Sequence, residues 1–302
     1  MLEFYEYRPN TPAVPGLLLK RLINSCRTQR GTTSLHWAGV HLKCRSSERC
    51  LEVAIYDTSA WTPLKFHGRI ALEDTVNLKD ERMYIVTNAG LLVAEARTPG
   101  KYIQMRFDKL SSTPYLVING VQMHRIMDTD PLTDARLKVA AAGVKTGSRV
   151  LEIGTGLGYT TTASIERGAL RIVSVEIDEH VIKLSEHNPM SRNLSSDKVS
   201  IIVGNAAEVV KSLRSNYFDT IIHDPPRFQM AGELYSREFY AELYRVLKSG
   251  GTLFHYTGEP MRGRGRGRGP IVAGVIRRLN EVGFQQVKYI EKAQGVVARK
   301  LA

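Results

Sequence analysis

The sequence predicts an α/β protein, with an open, mostly parallel sheet in residues 113–302 and a smaller, mostly β domain in residues 1–112. Two observations support this prediction. Beyond about residue 130, short apolar runs alternate with helical patterns, as in a parallel sheet with crossover helices. Before residue 112, β-branched and aromatic runs separated by turn residues indicate antiparallel hairpins instead.

The stretch Val150–Thr161 has the pattern of a strand, a glycine turn and a helix start. The strand is the apolar run 149–153, after which Gly154, Gly156 and Gly158 occupy alternate positions. Glycine lets the backbone turn sharply and approach a ligand, and the helix start presents free N–H groups to it. Such a loop is a weak signal alone, so its interpretation depends on the strands that follow.

Three later apolar runs also end in polar or small residues. They are Arg171–Val175 before Glu176-Ile177-Asp178, Val199–Val203 before Gly204-Asn205-Ala206, and Phe218–Ile222 before His223-Asp224-Pro225-Pro226-Arg227. An acid at the tip of the second strand is the usual holder of ribose hydroxyls in a doubly wound sheet. Because ligands bind at the carboxyl ends of strands in open α/β sheets, the four tips predict one site.

The remaining C-terminal elements complete this sheet. The predicted elements are a helix over 236–247 with a glycine cap at 248–251, a fifth strand over 252–256, a helix over 270–279 and a closing hairpin of 285–290 and 295–300. After the fifth strand comes an arginine-glycine stretch with Arg262, Arg264, Arg266 and Arg268, which we expect to be flexible because of its low complexity. Arginines on a mobile backbone can follow phosphates and stack on bases, so we expect an RNA-binding arm, with a solvated loop as the alternative.

The N-terminal domain is predicted to begin with an amphipathic helix over 15–27 and to continue as hairpins between residues 33 and 107. Asn119-Gly120 then lies between two apolar alternations, which is the strongest short hairpin signal, and a helix is predicted over 130–142. We expect this accessory domain to capture RNA, to support the fold or to form a homodimer interface.

The charge of the chain indicates a polyanionic partner. Lys and Arg number 42 against 30 Asp and Glu, which gives a net charge of +12 and a pI near 9.6. Nucleic acid is the leading candidate for such a partner.

Three features indicate a cytoplasmic protein without membrane contact. No apolar run approaches the ~20 residues that cross a bilayer, and the N-terminus has acids where a signal peptide has basic residues. Cys26, Cys44 and Cys50 are expected to be reduced thiols. With His36 and His41 nearby they suggest a metal site, but the close cysteine pairs of zinc sites are missing, so we expect no metal.

The glycine loop and the polar strand tips resemble the successive motifs of class I S-adenosylmethionine-dependent methyltransferases, whose sheet is Rossmann-like. The resemblance runs from about residue 125 to the C-terminus and rests on the glycine loop, the acid of the second strand and the D-P-P tip of the fourth. It implies S-adenosylmethionine as cofactor. The implied cofactor-binding residues are Glu152, Gly154, Thr155, Gly156, Gly158, Tyr159, Glu176, Ile177, Asn205, Ala206 and Asp224, where Asn205 replaces a more frequent acid near the adenine.

The D-P-P variant is typical of enzymes that methylate exocyclic amino groups. Such an amine is a poor nucleophile because its lone pair is delocalised into the ring. The Asp224 carboxylate and the Pro225 carbonyl would accept its hydrogens, and the pair of Pro225 and Pro226 holds that carbonyl rigidly. The family usually has an aromatic residue next; here Arg227 and Phe228 follow, and either one can stack on a base.

The N-terminal β domain, the basic chain and the D-P-P-R sequence resemble an archaeal group of RNA amino-methyltransferases. The resemblance implies cytidine N4 in ribosomal RNA, free or within the ribosomal subunit, as the methylated position. The base must then be flipped out or single-stranded. Guanine N2 and adenine N6, and transfer RNA as the substrate, are the alternatives within this class.

Two other classes fit parts of the sequence. Aminopropyltransferases share this sheet, use decarboxylated S-adenosylmethionine and have an N-terminal β domain, and the segment Leu234–Tyr240 is similar to theirs. They bind polycations through clustered carboxylates, whereas here Arg227 lies between Asp224 and Glu233. The other class is a non-catalytic RNA-binding module, which does not need both a glycine loop and a D-P-P tip.

Overall fold

A computed structural model describes residues 2–28, 32–46, 50–58, 64–71, 73–109, 112–258 and 269–301. They form two compact units. The large-sheet unit comprises Met1–Glu6, Leu132–Glu179 and Asp197–Ala302, and the β-rich unit comprises Tyr7–Pro131 and His180–Ser196. Among the described residues, no helix combines the length and apolar character that crossing a bilayer requires.

The elements are numbered in chain order. The strands are β1 (Glu3–Tyr5), β2 (Ala13–Pro15), β3 (Thr32–Trp37), β4 (Val40–Ser46), β5 (Cys50–Asp57), β6 (Leu64–Ala71), β7 (Met83–Thr87), β8 (Gly90–Val93), β9 (Glu95–Thr98), β10 (Lys101–Phe107), β11 (Pro114–Ile118), β12 (Val121–Gln122), β13 (Arg149–Ile153), β14 (Arg171–Glu176), β15 (Val199–Val203), β16 (Phe218–His223), β17 (Leu247–Tyr256), β18 (Gln285–Ile290) and β19 (Gly295–Arg299). The helices are α1 (Gly16–Thr28), α2 (Pro131–Ala141), α3 (Tyr159–Glu166), α4 (Glu179–Ser185), α5 (Ala206–Val209), α6 (Arg237–Val246) and α7 (Pro270–Val282), with 3-10 turns at Asp74–Asn77, Pro189–Ser195, Val210–Ser212 and Gly232–Tyr235.

The large-sheet unit is built on one eight-stranded sheet in the order β1-β15-β14-β13-β16-β17-β19-β18. The five strands from β15 to β17 in this order run parallel. At the two sides of this group, β1 pairs antiparallel with β15 and β19 pairs antiparallel with β17. In this register Ile153 lies between Val175 and His223, so the predicted strand tips meet at one edge. The α/β fold class with a Rossmann-like sheet is therefore confirmed.

The core of this unit explains why its strands read as nearly continuous apolar runs. Helices cover both faces of a parallel sheet, so inward positions on either side are buried. The amphipathic helices α6 and α7 bury Leu243 and Leu279 against the strands, where both side chains are fully buried. Each such side chain contributes about 2 kcal/mol of transfer free energy.

The structure differs from the sequence prediction at three places in this unit. Residues 3–5 form an edge strand against β15, although residues 1–112 were predicted to belong wholly to the other domain. The segment 248–251, predicted as a glycine cap, lies within β17, because the helix ends at Val246 and the chain extends immediately. Helix α7 continues beyond residue 279 to Val282, where Gly283 at φ +109° ends it.

The β-rich unit contains the predicted hairpins as three small sheets. Their orders are β3-β4-β5-β6, β2-β7-β8 and β12-β11-β10-β9. The predicted Asn119-Gly120 turn connects β11 and β12, with positive φ at both residues. Since β11 pairs with β10, this sheet continues past the predicted domain boundary at 112 and 113, and the unit extends to Pro131.

Helix α1 covers one face of the β3-β4-β5-β6 sheet and forms the main core of the β-rich unit. Its residues Leu19, Leu22 and Ile23 are buried together with the inward residues of the four strands. Cys26 and Cys44 belong to this core as free thiols, and the Cys44 thiol donates to the Cys26 sulfur at 2.6 Å. The side chain of Cys50 lies outside the described part of the chain.

The segment His180–Ser196 joins the β-rich unit through a buried ion pair. Arg192 donates to Asp57 at 2.6 and 2.9 Å, and both side chains are almost fully buried. Arg192 also donates to the Asn10 carbonyl oxygen, and the Tyr7 hydroxyl donates to the Ser185 carbonyl oxygen. A buried charge without its partner costs several kcal/mol, so these contacts hold the segment in this unit.

Candidate active site

The glycine loop between β13 and α3 has backbone conformations that favour glycine at each of its three positions. Gly154, Gly156 and Gly158 have φ values of +91°, +54° and +69°. A Cβ atom on Gly154 would lie 2.5 Å from the Asp224 carbonyl oxygen. The loop therefore lies directly against the tip of β16, which only a residue without a side chain permits.

Glu152, in the strand before the loop, connects the loop to α3 and β14 by hydrogen bonds. Its buried carboxylate accepts hydrogen bonds from the hydroxyls of Thr160 and Thr161 at the start of α3, and from the Ser174 hydroxyl of β14 at 2.5 Å. Burial raises the pKa of Glu152, and the three hydroxyl donors oppose the rise. The contacts place Glu152 as the group that joins the strand, the loop and the helix.

Two other predicted cofactor residues of this region are buried. The Thr155 hydroxyl lies 2.6 Å from the Ser174 hydroxyl, and Thr155 is 3% exposed. Tyr159 begins α3 and is equally buried. The Thr155 hydroxyl therefore fixes the loop to β14.

The tip of β14 offers both a carboxylate and an apolar surface. The Glu176 carboxylate accepts from the backbone N–H groups of Gly156, Ile177 and Asp178 at 3.0–3.2 Å, and burial raises its pKa. A carboxylate has about four acceptor positions, so it can also accept from ribose hydroxyls. The Ile177 side chain is 61% exposed, which suits packing against an adenine ring.

The tip of β15 binds its own helix. The Asn205 side-chain oxygen accepts from the Ala207 N–H at 2.9 Å and so caps α5, which begins at Ala206. Because that oxygen serves the cap, the NH₂ group of the exposed amide is the part of the side chain that would contact a base, as a donor. This role differs from that of the acid that the family more often has here.

The tip of β16 brings Asp224 to a buried cluster with Lys138. The Lys138 ammonium donates to Asp224 Oδ2 at 2.7 Å and lies 3.0 Å from Asp134 Oδ2, one turn earlier in α2. It also lies 3.8 Å from the centre of the Tyr256 ring. The Asp224 N–H donates to the Ile153 carbonyl oxygen at 3.0 Å, which aligns Asp224 with the glycine loop.

Sequence reasoning missed Lys138, Asp134 and Tyr256. The available signal was an acid and a lysine four residues apart on the predicted helix over 130–142, which places both side chains on one face. The sequence does not show that this face meets the tip of β16.

The charges of this cluster are set by burial and by one another. Burial pulls the pKa of Lys138 down, but the carboxylates of Asp224 and Asp134 outweigh it and raise that pKa above its usual value. Burial raises the pKa of Asp224, the Lys138 charge opposes the rise, and Asp134 adds to it. Lys138 therefore remains an ammonium at neutral pH and tunes the carboxyl group it contacts.

The residues after Asp224 form a short wall. The Tyr235 hydroxyl donates to the Pro226 carbonyl oxygen at 2.9 Å, and the Phe228 ring stands edge-on to the Tyr235 ring with centres 5.3 Å apart. Phe228 is 41% exposed and Arg227 is exposed. Pro225 is buried, so the wall consists of a fixed backbone with one aromatic and one guanidinium side chain at its rim.

Two buried histidines lie behind this wall. The His223 and His255 ring centres are 4.3 Å apart, His223 contacts the Leu234 carbonyl oxygen at 2.9 Å, and His255 contacts the Tyr240 hydroxyl at 3.1 Å. Burial lowers the pKa of His223 to about 4 and lowers that of His255 as well. Both imidazoles are therefore neutral at physiological pH. From within the core, His223 holds the segment that follows Asp224 through its contact with the Leu234 carbonyl oxygen.

Two further sequence-based predictions concern the arginine-glycine stretch and a metal site. Arg262, Arg264, Arg266 and Arg268 lie outside the described residues. Within the ranges that the structure covers, no group of His, Cys, Asp or Glu side chains has the arrangement of a metal site.

The residues at the sheet edge fit S-adenosylmethionine. When it is bound, the backbone N–H groups of the glycine loop, the Glu176 carboxylate and the exposed Ile177 would contact its polar chain, ribose and base. The fold and these tips define a protein of the class I S-adenosylmethionine-dependent methyltransferase fold. Its cofactor or substrate is S-adenosylmethionine, or the decarboxylated form that related aminopropyltransferases use.

Comparisons with known proteins place the chain more closely. It is 42% identical over 225 residues to a Methanocaldococcus jannaschii protein named "Uncharacterized protein MJ1233", with 74% of this chain and 75% of that protein covered. The chain belongs to the same family as this archaeal protein. The family model of the spermine/spermidine synthase domain matches residues 138–265.

Two further likenesses are more distant. Putrescine N-methyltransferase 3 of Nicotiana tabacum is 26% identical over 153 residues, which cover 49% of this chain and 40% of the tobacco enzyme. A crystal structure of spermidine synthase with the transition-state analogue AdoDATO superposes with a TM-score of 0.58 at 18% identity, covering 78% of this chain and 76% of that one. The structural likeness shows the shared fold.

Proposed function

We propose that the protein transfers the methyl group of S-adenosylmethionine to an exocyclic base amino group of RNA, with cytidine N4 in ribosomal RNA as the preferred position. The observation that carries the proposal is the placement of Asp224. Its carboxylate follows directly on the strand beside the glycine loop, Lys138 fixes one of its oxygens, and two prolines hold the next carbonyls.

The residues of this tip suit the activation of an amine. S-adenosylmethionine supplies a methyl group on a sulfonium sulfur, so the new N–C bond forms as the C–S bond breaks and its electron pair stays on sulfur. Lys138 contacts Asp224 Oδ2, which leaves Oδ1 as an acceptor for an amino hydrogen. The Pro225 carbonyl is the second acceptor, and the proton that the product amine loses passes to the Asp224 carboxylate. Holding the amine in this position supplies much of the barrier reduction.

The charge of the cluster favours a base over a polyamine. Lys138 and the carboxylates of Asp134 and Asp224 leave one net negative charge, and Arg227 stands exposed at the rim. A polycation needs several unpaired carboxylates, whereas a neutral amine needs one acceptor. The net charge of +12 suits RNA, and the four arginines between 262 and 268 are part of this proposal as a phosphate-binding arm.

A polyamine is the second candidate substrate, with aminopropyl or methyl transfer to one of its amines. The match of residues 138–265 to the spermine/spermidine synthase domain and the likeness to a putrescine N-methyltransferase favour it. Asp134 and Asp224 would then bind the cationic chain after displacing Lys138 from one of them.

The test is a labelling experiment with both substrate classes. The protein is incubated with methyl-labelled S-adenosylmethionine and unmodified RNA, and the digested nucleosides are separated. In parallel, it is incubated with putrescine or spermidine and either S-adenosylmethionine or its decarboxylated form. We expect label in N4-methylcytidine, at least 100-fold less transfer with Asp224→Asn, and unchanged transfer with the exposed control Glu208→Gln.

Other outcomes decide between the candidates. Label in a different nucleoside would retain amine methylation of RNA and replace the base, whereas product only with polyamines would overturn the RNA proposal. If the loss of cofactor affinity in Asp224→Asn, measured by calorimetry, accounts for the whole loss of transfer, Asp224 acts in the cofactor site and its role in amine activation is wrong.

A further inference from the structure

The outward face of the β3-β4-β5-β6 sheet carries polar and aromatic side chains in regular rows. Side chains alternate between the two faces of a strand, and α1 covers the inward one. The outward residues pair across the four strands as three rows, which are Thr32-Arg45-Glu52-Arg69, Ser34-Lys43-Ala54-His67 and His36-His41-Tyr56-Lys65.

The cations of this face dominate its charge. Lys43, Arg45, Lys65 and Arg69 are exposed, and Glu52 is the carboxylate among them. Within the described ranges, none of the four takes part in an ion pair. Four exposed cations on one face of the sheet, none of them paired with a carboxylate of the described residues, produce a positive potential that attracts a polyanion.

The third row is a line of rings. The His36 and His41 rings are stacked with centres 3.8 Å apart, and the Tyr56 ring follows at 6.0 Å from His41. The ammonium groups of Lys43 and Lys65 lie 5.5 and 5.3 Å from the centre of the Tyr56 ring, one from each neighbouring strand. Burial and the nearby His36 and Lys43 lower the pKa of His41, so it serves as a neutral ring in this row.

A depression lies beside the ring row. Its volume is about 410 Å³, and its lining includes the basic side chains of Lys43, Arg45 and Arg69. The small Ala54 in the centre of the middle row leaves this space between longer neighbours. A volume of this size accommodates a nucleotide-sized group.

We propose that this face binds single-stranded RNA, with phosphates at the four cations and bases on the ring row. Proteins that bind single strands combine a basic surface with aromatic side chains on which bases stack, and both features are present here. The choice of RNA over DNA rests on the proposed function. The geometry of the face itself requires only a single-stranded polyanion with exposed bases.

The composition of the face favours nucleic acid over a lipid surface. Peripheral membrane binding needs large apolar side chains that enter the bilayer in addition to basic charge. Of the large hydrophobic side chains that are exposed in the described residues, none lies on these rows. A duplex would reach the cations but would leave the ring row without bases to contact.

The first experiment measures binding of a labelled single-stranded RNA at several salt concentrations, without S-adenosylmethionine. The face variant combines K43Q, R45Q, K65Q and R69Q. The control combines K211Q, R214Q, R277Q and K288Q, which removes the same charge from exposed positions of the large-sheet unit. We expect the face variant to bind at least tenfold more weakly and its salt slope to fall by up to about 3, while the control changes affinity less than threefold.

The second variant, Tyr56→Leu, tests stacking. We expect about tenfold weaker binding of the single strand and little change for a duplex of the same length. Equal losses for both RNAs would overturn the stacking part of the proposal. Equal losses in the face and control variants would show that binding follows net charge alone and would overturn the assignment of this face.

All measurements are repeated with Asp224→Asn and with anionic vesicles and a polyglutamate peptide as competitors. Asp224→Asn should lose methyl transfer and retain RNA binding. The proposal on RNA binding and the proposal on methyl transfer can then each fail without the other. Binding of vesicles or polyglutamate by the face with higher affinity than RNA would overturn the identity of the proposed partner.

Discussion

Lys138 is the residue whose position most changes the interpretation of the site. Its buried ammonium lies between Asp224 and Asp134 and contacts both carboxylates. A carboxylate with a fixed cation on one oxygen has a defined orientation and a lower affinity for protons than its burial alone would give. Lys138 is thus a positioning residue for the group that we propose to accept the amino hydrogen.

The pH dependence of transfer should report this arrangement. Burial raises the pKa of Asp224, so kcat/KM should increase with pH as that carboxyl ionises. Because the Lys138 charge lowers that pKa, Lys138→Met should move the ascending limb to higher pH. Because Asp134 raises it, Asp134→Asn should move the limb to lower pH. The measurement is kcat/KM between pH 5 and 9 for the three proteins, and shifts in the same direction for both variants would contradict this account.

At the scale of elements, the strand, glycine turn and helix around Gly154 form one unit held by Glu152. The apolar run and the spacing of the glycines after it predicted this unit from the sequence, since local conformation depends on nearby residues. It did not predict that Thr160, Thr161 and Ser174 occupy the Glu152 carboxylate, because Ser174 comes from the neighbouring strand.

Two alanine substitutions separate backbone strain from close approach. Gly154 and Gly143 both have positive φ, but a Cβ on Gly154 meets the Asp224 carbonyl oxygen at 2.5 Å, whereas nothing lies within 4 Å of one on Gly143. We expect Gly143→Ala to cost about 1–2 kcal/mol of stability and to retain transfer. Gly154→Ala should cost more and reduce transfer at least 100-fold, because Asp224 must move.

Urea unfolding and labelled methyl transfer measure these effects. Normal activity of Gly154→Ala would show that Asp224 tolerates displacement, and the alignment of the two strand tips would then not matter for catalysis.

At the scale of the whole molecule, the chain visits each unit more than once. Residues 1–6 contribute a strand to the large sheet before the chain forms the β-rich unit, and the segment 180–196 returns to that unit between β14 and β15. His223 is buried in the core of the large-sheet unit, so the pH dependence of the free energy of unfolding can report on this unit.

Acid should destabilise the large-sheet unit through His223. Its pKa is about 4 in the folded protein, below its ordinary value of 6.5, so the unfolded chain binds a proton at a higher pH than the native one. The free energy of unfolding then falls as the pH drops from 6.5 towards 4, by about 2 kcal/mol between pH 7 and 5.

The buried carboxyls Glu152 and Glu176 act in the opposite direction because their pKa values are raised. The test is therefore the difference between the wild type and His223→Gln, with His67→Gln as the exposed control. An identical pH dependence of unfolding in all three proteins would contradict the assignment of a neutral, buried His223.

The sequence by itself determined the order of the parallel strands along the chain, the glycine turn and the polar strand tips at Glu176, Asn205 and Asp224. These follow from periodicity and local backbone preferences, which neighbouring residues along the chain set. Only the tertiary structure decided that Lys138 pairs with Asp224, that residues 3–5 complete the large sheet, and that one face of the β3-β4-β5-β6 sheet is basic. Each of these depends on which distant segments pack together, because contact free energies between remote residues leave no local pattern in the sequence.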